Sequence, residues 1–136
     1  VWSAFHGYAA WKKMNQQSLN TELASTPDDF VLWFRKLPMM QLRRVGGMWE
    51  LRYTDAFKAQ SRLSPIVCFP DVDKVYRSAK LWPFFSVRIP SIARPEVQRT
   101  VREENLDYDD VAAMLRRFGR KSVADPFELR PDTDAS

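Results

Sequence analysis

At 136 residues, with 45% apolar and 13% aromatic content, the chain has the size and composition of one domain with a real core, not of a disordered tail. Its formal charge of +4 is compatible with a polyanionic partner without demanding one. A single cysteine and a single histidine exclude an internal disulfide and a zinc site built from Cys and His.

The first stretch, Val1 to about Ser25, reads as an amphipathic helix. Trp2, Phe5, Tyr8 or Ala9, Leu19 and Leu23 fall roughly on one face, and Lys12, Lys13 and Gln16 on the other. Thr26-Pro27-Asp28-Asp29 has the form of a helix start. The residues after it favour a strand, which we expect from Phe30 to Lys36.

The stretch from Gln41 to Phe69 organises the rest: strand, tight turn, strand, helix, strand. Gly46-Gly47 supplies the positive φ angles of a primed hairpin turn. Thr54-Asp55 offers a cap oxygen for a short helix carrying Phe57, ended by Ser64-Pro65. Ile66 to Phe69 then reads as a strand with Cys68 buried and inert within it.

Asp71 to Lys80 has the spacing of a short helix, and Phe84 to Ile89 the alternation of a strand closed by Pro90. Pro95 opens a helix through Glu104. Leu106 to Gly119 is a further helix, with Asp107 as cap, Val111, Met114, Leu115 and Phe118 as its apolar stripe, and Gly119 at C′. Phe127 to Arg130 is the last strand, and Pro131 to Ser136 a polar tail. The expected fold is α/β or α+β: a single domain over 1–136, with a small mixed sheet and flanking helices.

Two groups of residues carry possible chemistry. Arg116, Arg117, Arg120 and Lys121 crowd a helix end, with Arg43 and Arg44 before the hairpin turn. Cations so close repel one another, and phosphate would relieve that cost; the negative end of the helix dipole accounts for two of them without a ligand. Glu50 and Arg52 share a strand face with Asp55 just beyond. They form either a site that holds a divalent cation and polarises a phosphate, or an ordinary ion pair. The acids Glu103, Glu104, Asp107, Asp109 and Asp110 read as caps, dipole partners and a solvated face.

No Walker-type loop follows Gly46-Gly47. His6 has no catalytic partner at a recognisable spacing. No stretch is long and apolar enough to span a bilayer and no signal-peptide pattern is evident, so a cytoplasmic protein is expected, without membrane insertion.

The run IPSIARPEVQRTVREENLDYDDVAAMLRRFGRKSVADPFELRP, from Ile89, resembles the opening half of the ParB/sulfiredoxin superfamily. Leu115, Gly119, Pro126, Phe127 and Leu129 stand where that pattern expects them. The hairpin, helix and strand from Arg43 to Phe69 are similar to its closing half. Among divergent members, a short basic chain looks most like the plasmid fertility inhibition factors of the oncogenic-suppression kind. That resemblance implies blockade of conjugative or T-DNA transfer, with nuclease and ATPase activities on the same fold. It points to DNA as a partner and to magnesium and ATP as cofactors. Catalysis would then fall to Glu50 and Asp55 holding the metal, with Arg52 facing the phosphorane. The alternative is a non-catalytic inhibitor of a secretion or replication component, binding through exposed aromatics such as Trp2, Trp11 or Trp33.

Overall fold

The structure is a computed structural model that describes residues 28–132. The helix expected over Val1 to Ser25, with His6, Trp2 and Trp11, lies outside the described residues. Five strands form one sheet: β1 (Asp29–Phe34), β2 (Leu37–Val45), β3 (Met48–Tyr53), β4 (Tyr76–Ser78) and β5 (Glu128–Pro131). Their order is β4-β3-β2-β1-β5 and every pair is antiparallel. The α+β arrangement is as expected, but the sheet is antiparallel, not mixed. All its neighbours along the chain are joined by turns or return connections rather than parallel crossovers.

The β2–β3 hairpin turns on Gly46 (φ 58°) and Gly47 (φ 80°), the left-handed pair that the sequence called for. β1 ends at Phe34, two residues short of the expected Lys36, because Arg35-Lys36 make the turn into β2 and Arg35 takes φ 55°. Pro38 is admitted to β2 where the register slips between Leu32 and Trp33, since a residue without an N–H fits a ladder best at an irregularity.

Among the described residues four helices accompany the sheet: α1 (Asp55–Lys58), α2 (Pro83–Ser86), α3 (Pro95–Glu103) and α4 (Val111–Phe118). The Thr54 hydroxyl accepts from the Phe57 N–H and so caps α1, as expected. Asp110, not Asp107, caps α4 by accepting from Ala113 N–H. Asp107 instead accepts from the Asp109 N–H in a local turn, so α4 starts later than Leu106. Gly119 stands where a Cβ would meet the Leu115 carbonyl oxygen at 2.5 Å, and this close approach accounts for a glycine at the helix end.

Four segments differ from their sequence pattern. Ile66 to Phe69 is a turn, with Val67 and Cys68 exposed and only Phe69 buried. Prolines at 65 and 70 leave no room for a paired strand. Asp71 to Lys80 is not helical. Asp71 and Asp73 form a side-chain turn, and Tyr76 is drawn into β4 opposite Leu51. Phe84 to Ile89 begins in α2 because Pro83 occupies a first helical position, and Val87 is 58% exposed despite its place in the alternation. Pro131 belongs to β5 and Asp132 is buried, so the expected polar tail does not begin at Pro131.

One face of the sheet carries the main core. Phe30, Leu32, Met40, Leu42 and Leu51 pack there against Phe57, Phe69, Phe85, Ala112 and Leu115. On the opposite face Val31 and Trp33 form a smaller buried cluster with Ala56. Tyr53 fastens the 63–70 connection to the core: its hydroxyl donates to the Phe69 carbonyl (2.6 Å) and accepts from the Ile66 N–H (2.9 Å).

Burial holds the Tyr53 phenol above the usual tyrosine range, with the Ile66 N–H pulling the other way. A raised folded value means that its stabilisation is complete below the unfolded phenol's value of about 10 and is lost as pH rises through the folded one. Tyr53→Phe is therefore expected to cost about 1–3 kcal/mol at neutral pH. It should also flatten the alkaline limb of a stability-against-pH curve measured by urea unfolding. An unchanged limb would place the alkaline loss elsewhere.

Candidate functional site

The helix-end cations do not stand free. Arg116 pairs with Asp28 (3.4 Å), Arg117 with Glu104 (2.7 Å) and Arg120 with Glu128 (3.3 Å). Lys121 is exposed and helps Arg130 and Arg120 hold the Glu128 carboxyl below the usual range, the Arg130 hydrogen bond being the main cause. Glu104 is lowered in the same way by the hydrogen bond from Arg117. The mutual repulsion read from the sequence is thus largely relieved by acids from distant parts of the chain.

The expected catalytic trio is divided. Across β1 to β4 the register sets Asp29, Arg43, Glu50 and Arg77 in one row of alternating charge. Glu50 accepts from Arg77 at 3.0 Å and lies 3.7 Å from Arg52, while Arg43 is 3.5 Å from Asp29. A divalent cation at Glu50 would face guanidinium groups on either side, so this carboxylate does not fit a metal ligand. Among the described residues no group of three or more His, Cys, Asp or Glu side chains is placed to hold a metal ion. Arg52 and Asp55, by contrast, do come together, lining a recess with Gln41, Tyr53, Thr54 and Lys58.

Arg44 leads to a different place. Its guanidinium lies over the Trp49 ring, 5.6 Å from the centroid, and among the described residues no carboxylate lies within ion-pair distance of it. Together they line an open groove of about 460 Å³ with Lys80, Ile89, Tyr108 and Met114. Lys80 is exposed and likewise without an acid partner among the described residues, and Tyr108 is 36% exposed. The groove runs between the edge of the sheet that carries β3 and β4 and the helical layer of α2 and α4. Two cations without an acid partner among the described residues, beside an accessible aromatic ring, are the elements of a single-strand nucleic-acid surface: charge for the backbone and a face for a base. Asp107, Asp109 and Asp110 flank Tyr108 in sequence, and two of them are occupied in capping and turn hydrogen bonds.

Sequence reasoning singled out Arg44 but not Lys80 or Tyr108, which a loop and an acidic turn bring to it from thirty and more residues away. Trp33 is 6% exposed and presents no aromatic patch. No protein-family model matches the chain, and no curated protein matches it significantly. Among the described residues no helix is long and apolar enough to cross a membrane.

Proposed function

We propose that this chain is a DNA-associated protein of the fertility-inhibition kind, which obstructs conjugative or T-DNA transfer by occupying DNA at the Arg44–Lys80–Tyr108 groove. The observation that carries the reading is the pair of unneutralised cations beside an exposed tyrosine, where most other basic candidates are matched by acids. The glycine hairpin followed by the Thr54-capped α1, and α4 with Gly119 leading to β5, support a ParB/sulfiredoxin-like fold as part of it. Binding is better supported than magnesium- and ATP-dependent cleavage, because Glu50 is held by arginines.

Anisotropy of labelled single-stranded DNA across a salt series, with and without magnesium, tests this. Affinity should fall steeply with salt. Replacing Arg44 and Lys80 by alanine should flatten the log–log slope by ~0.7 for each phosphate contact removed. Probe cleavage that needs magnesium and vanishes in Glu50→Ala would restore the hydrolytic version. No binding at low salt would overturn the reading.

A second reading, an inhibitor that docks on a secretion or replication protein, is favoured by the hairpin tip, where Val45 and Met48 are 44% and 39% exposed. It predicts binding that salt leaves almost unchanged.

A further inference from the structure

Gln41 is out of place by ordinary packing rules. It is 1% exposed at the centre of β2, between Val31 on one strand and Arg52 on the other. Among the described residues neither its amide nitrogen nor its amide oxygen has a hydrogen-bond partner. Buried amides are nearly always satisfied, and a leucine of similar volume would avoid the penalty altogether.

This amide lines the recess that Arg52, Asp55 and Lys58 border, on the sheet face opposite the groove. The Thr54 hydroxyl is already committed to the Pro38 carbonyl and the Phe57 N–H, and the Tyr53 hydroxyl to residues 66 and 69. The polar groups left to meet a ligand are therefore the Gln41 amide, two cations and one carboxylate. Arg52 shares Glu50 at 3.7 Å and Lys58 shares the exposed Asp73 at 3.9 Å, both loosely.

We propose that this recess binds a small organic acid. Its oxyanion, carboxylate or phosphate, sits between Arg52 and Lys58. An adjacent donor on the ligand meets Asp55, and Gln41 reads a neighbouring donor–acceptor pair. The size fits that class: at about 200 Å³ the recess has the room of about seven waters, too little for a whole nucleotide. The charge fits too: Arg52 and Lys58 line the recess with one acid, Asp55, while Glu50 and Asp73, which share those cations loosely, lie outside its lining, so the recess itself favours an anion over a metal ion.

The test is a pair of NMR titrations of the ¹⁵N-labelled protein, one with inorganic phosphate and one with glutamate, following the Gln41 side-chain NH₂. A saturable shift is expected with at least one probe; tighter phosphate binding identifies a phosphorylated acid, tighter glutamate binding a carboxylic one. Gln41→Leu should raise or hold the thermal midpoint of the free protein and lose the stabilisation that the probe gives. Lys58→Gln, on the exposed rim and harmless to the fold, should weaken binding roughly tenfold through its lost charge-assisted bond. DNA binding at the groove should be unchanged in both variants, so failure here and failure of the DNA reading are separable. No shift at Gln41 with either probe, or an undiminished response in Lys58→Gln, overturns the proposal.

Discussion

Asp125→Ala is expected to cost about 3–5 kcal/mol of folding stability, because it leaves a buried guanidinium without its counter-charge. The Arg88 side chain is 0% exposed and its guanidinium donates to the Asp125 carboxylate at 2.7 Å, with a longer contact to the Phe127 carbonyl at 3.5 Å. The Phe84 ring lies 5.9 Å away, and offers a π-face in place of water. Asp125 also accepts from the Phe127 N–H (2.9 Å), so one carboxylate both neutralises Arg88 and shapes the approach to β5.

The ranking of variants follows from which charge is stranded. Asp125→Asn retains an acceptor for Phe127 and should lose less than alanine. Arg88→Met leaves Asp125 with some access to water and should also lose less. The double variant Arg88→Met/Asp125→Leu should recover much of the loss, since removing both charges removes the desolvation penalty with them. Urea unfolding of the wild type, Arg88→Met, Asp125→Leu and the double variant measures the coupling directly. Additive losses would mean that the two groups do not depend on each other.

How much of this could be read in the sequence depends on how local each cause is. The hairpin at Gly46-Gly47, the Thr54 cap and the stripe of α4 come from neighbouring residues, and they stand as expected. The basic cluster at Arg116 to Lys121 was visible, but its neutralisation was not: Asp28 reaches Arg116 across 88 residues. Pairing across strands likewise turned Glu50 from a candidate ligand into one member of a charge row. Short apolar runs misled for a related reason. Residues 84–89 alternate like a strand, yet Pro83 and the burial of Phe85 make a helical turn, and tertiary contacts decide between such close alternatives. Gln41 gave no signal at all, because a glutamine in a strand is unusual only when its burial and its missing partners are known.

The second large effect is expected at Phe69. Phe69→Ala should cost about 3–5 kcal/mol, the range for removing a buried aromatic ring that its surroundings cannot close over. Phe69 is 2% exposed within a segment whose neighbours Val67, Cys68 and Pro70 are all exposed, so this one ring anchors the connection between α1 and β4. Its centroid lies 5.2 Å from that of Tyr76, 5.7 Å from Trp82, 5.9 Å from Phe84 and 6.2 Å from Phe85, three of these edge-on. Such pairs add to simple burial.

The backbone is held as well, since the Phe69 carbonyl accepts from Tyr53. Phe69→Leu should therefore lose less than alanine, keeping most of the volume and the backbone bond. The same cluster fixes residues 76–85, the stretch that carries Lys80 on the wall of the groove. At a temperature where Phe69→Ala remains folded, the DNA affinity proposed for the groove should fall although Phe69 does not line it, while Arg44→Ala should lower that affinity without lowering the unfolding midpoint. Urea melts alongside anisotropy separate the two. A Phe69→Ala loss below about 1 kcal/mol would place that site in the range of ordinary surface substitutions, and the aromatic cluster would not be what positions the groove.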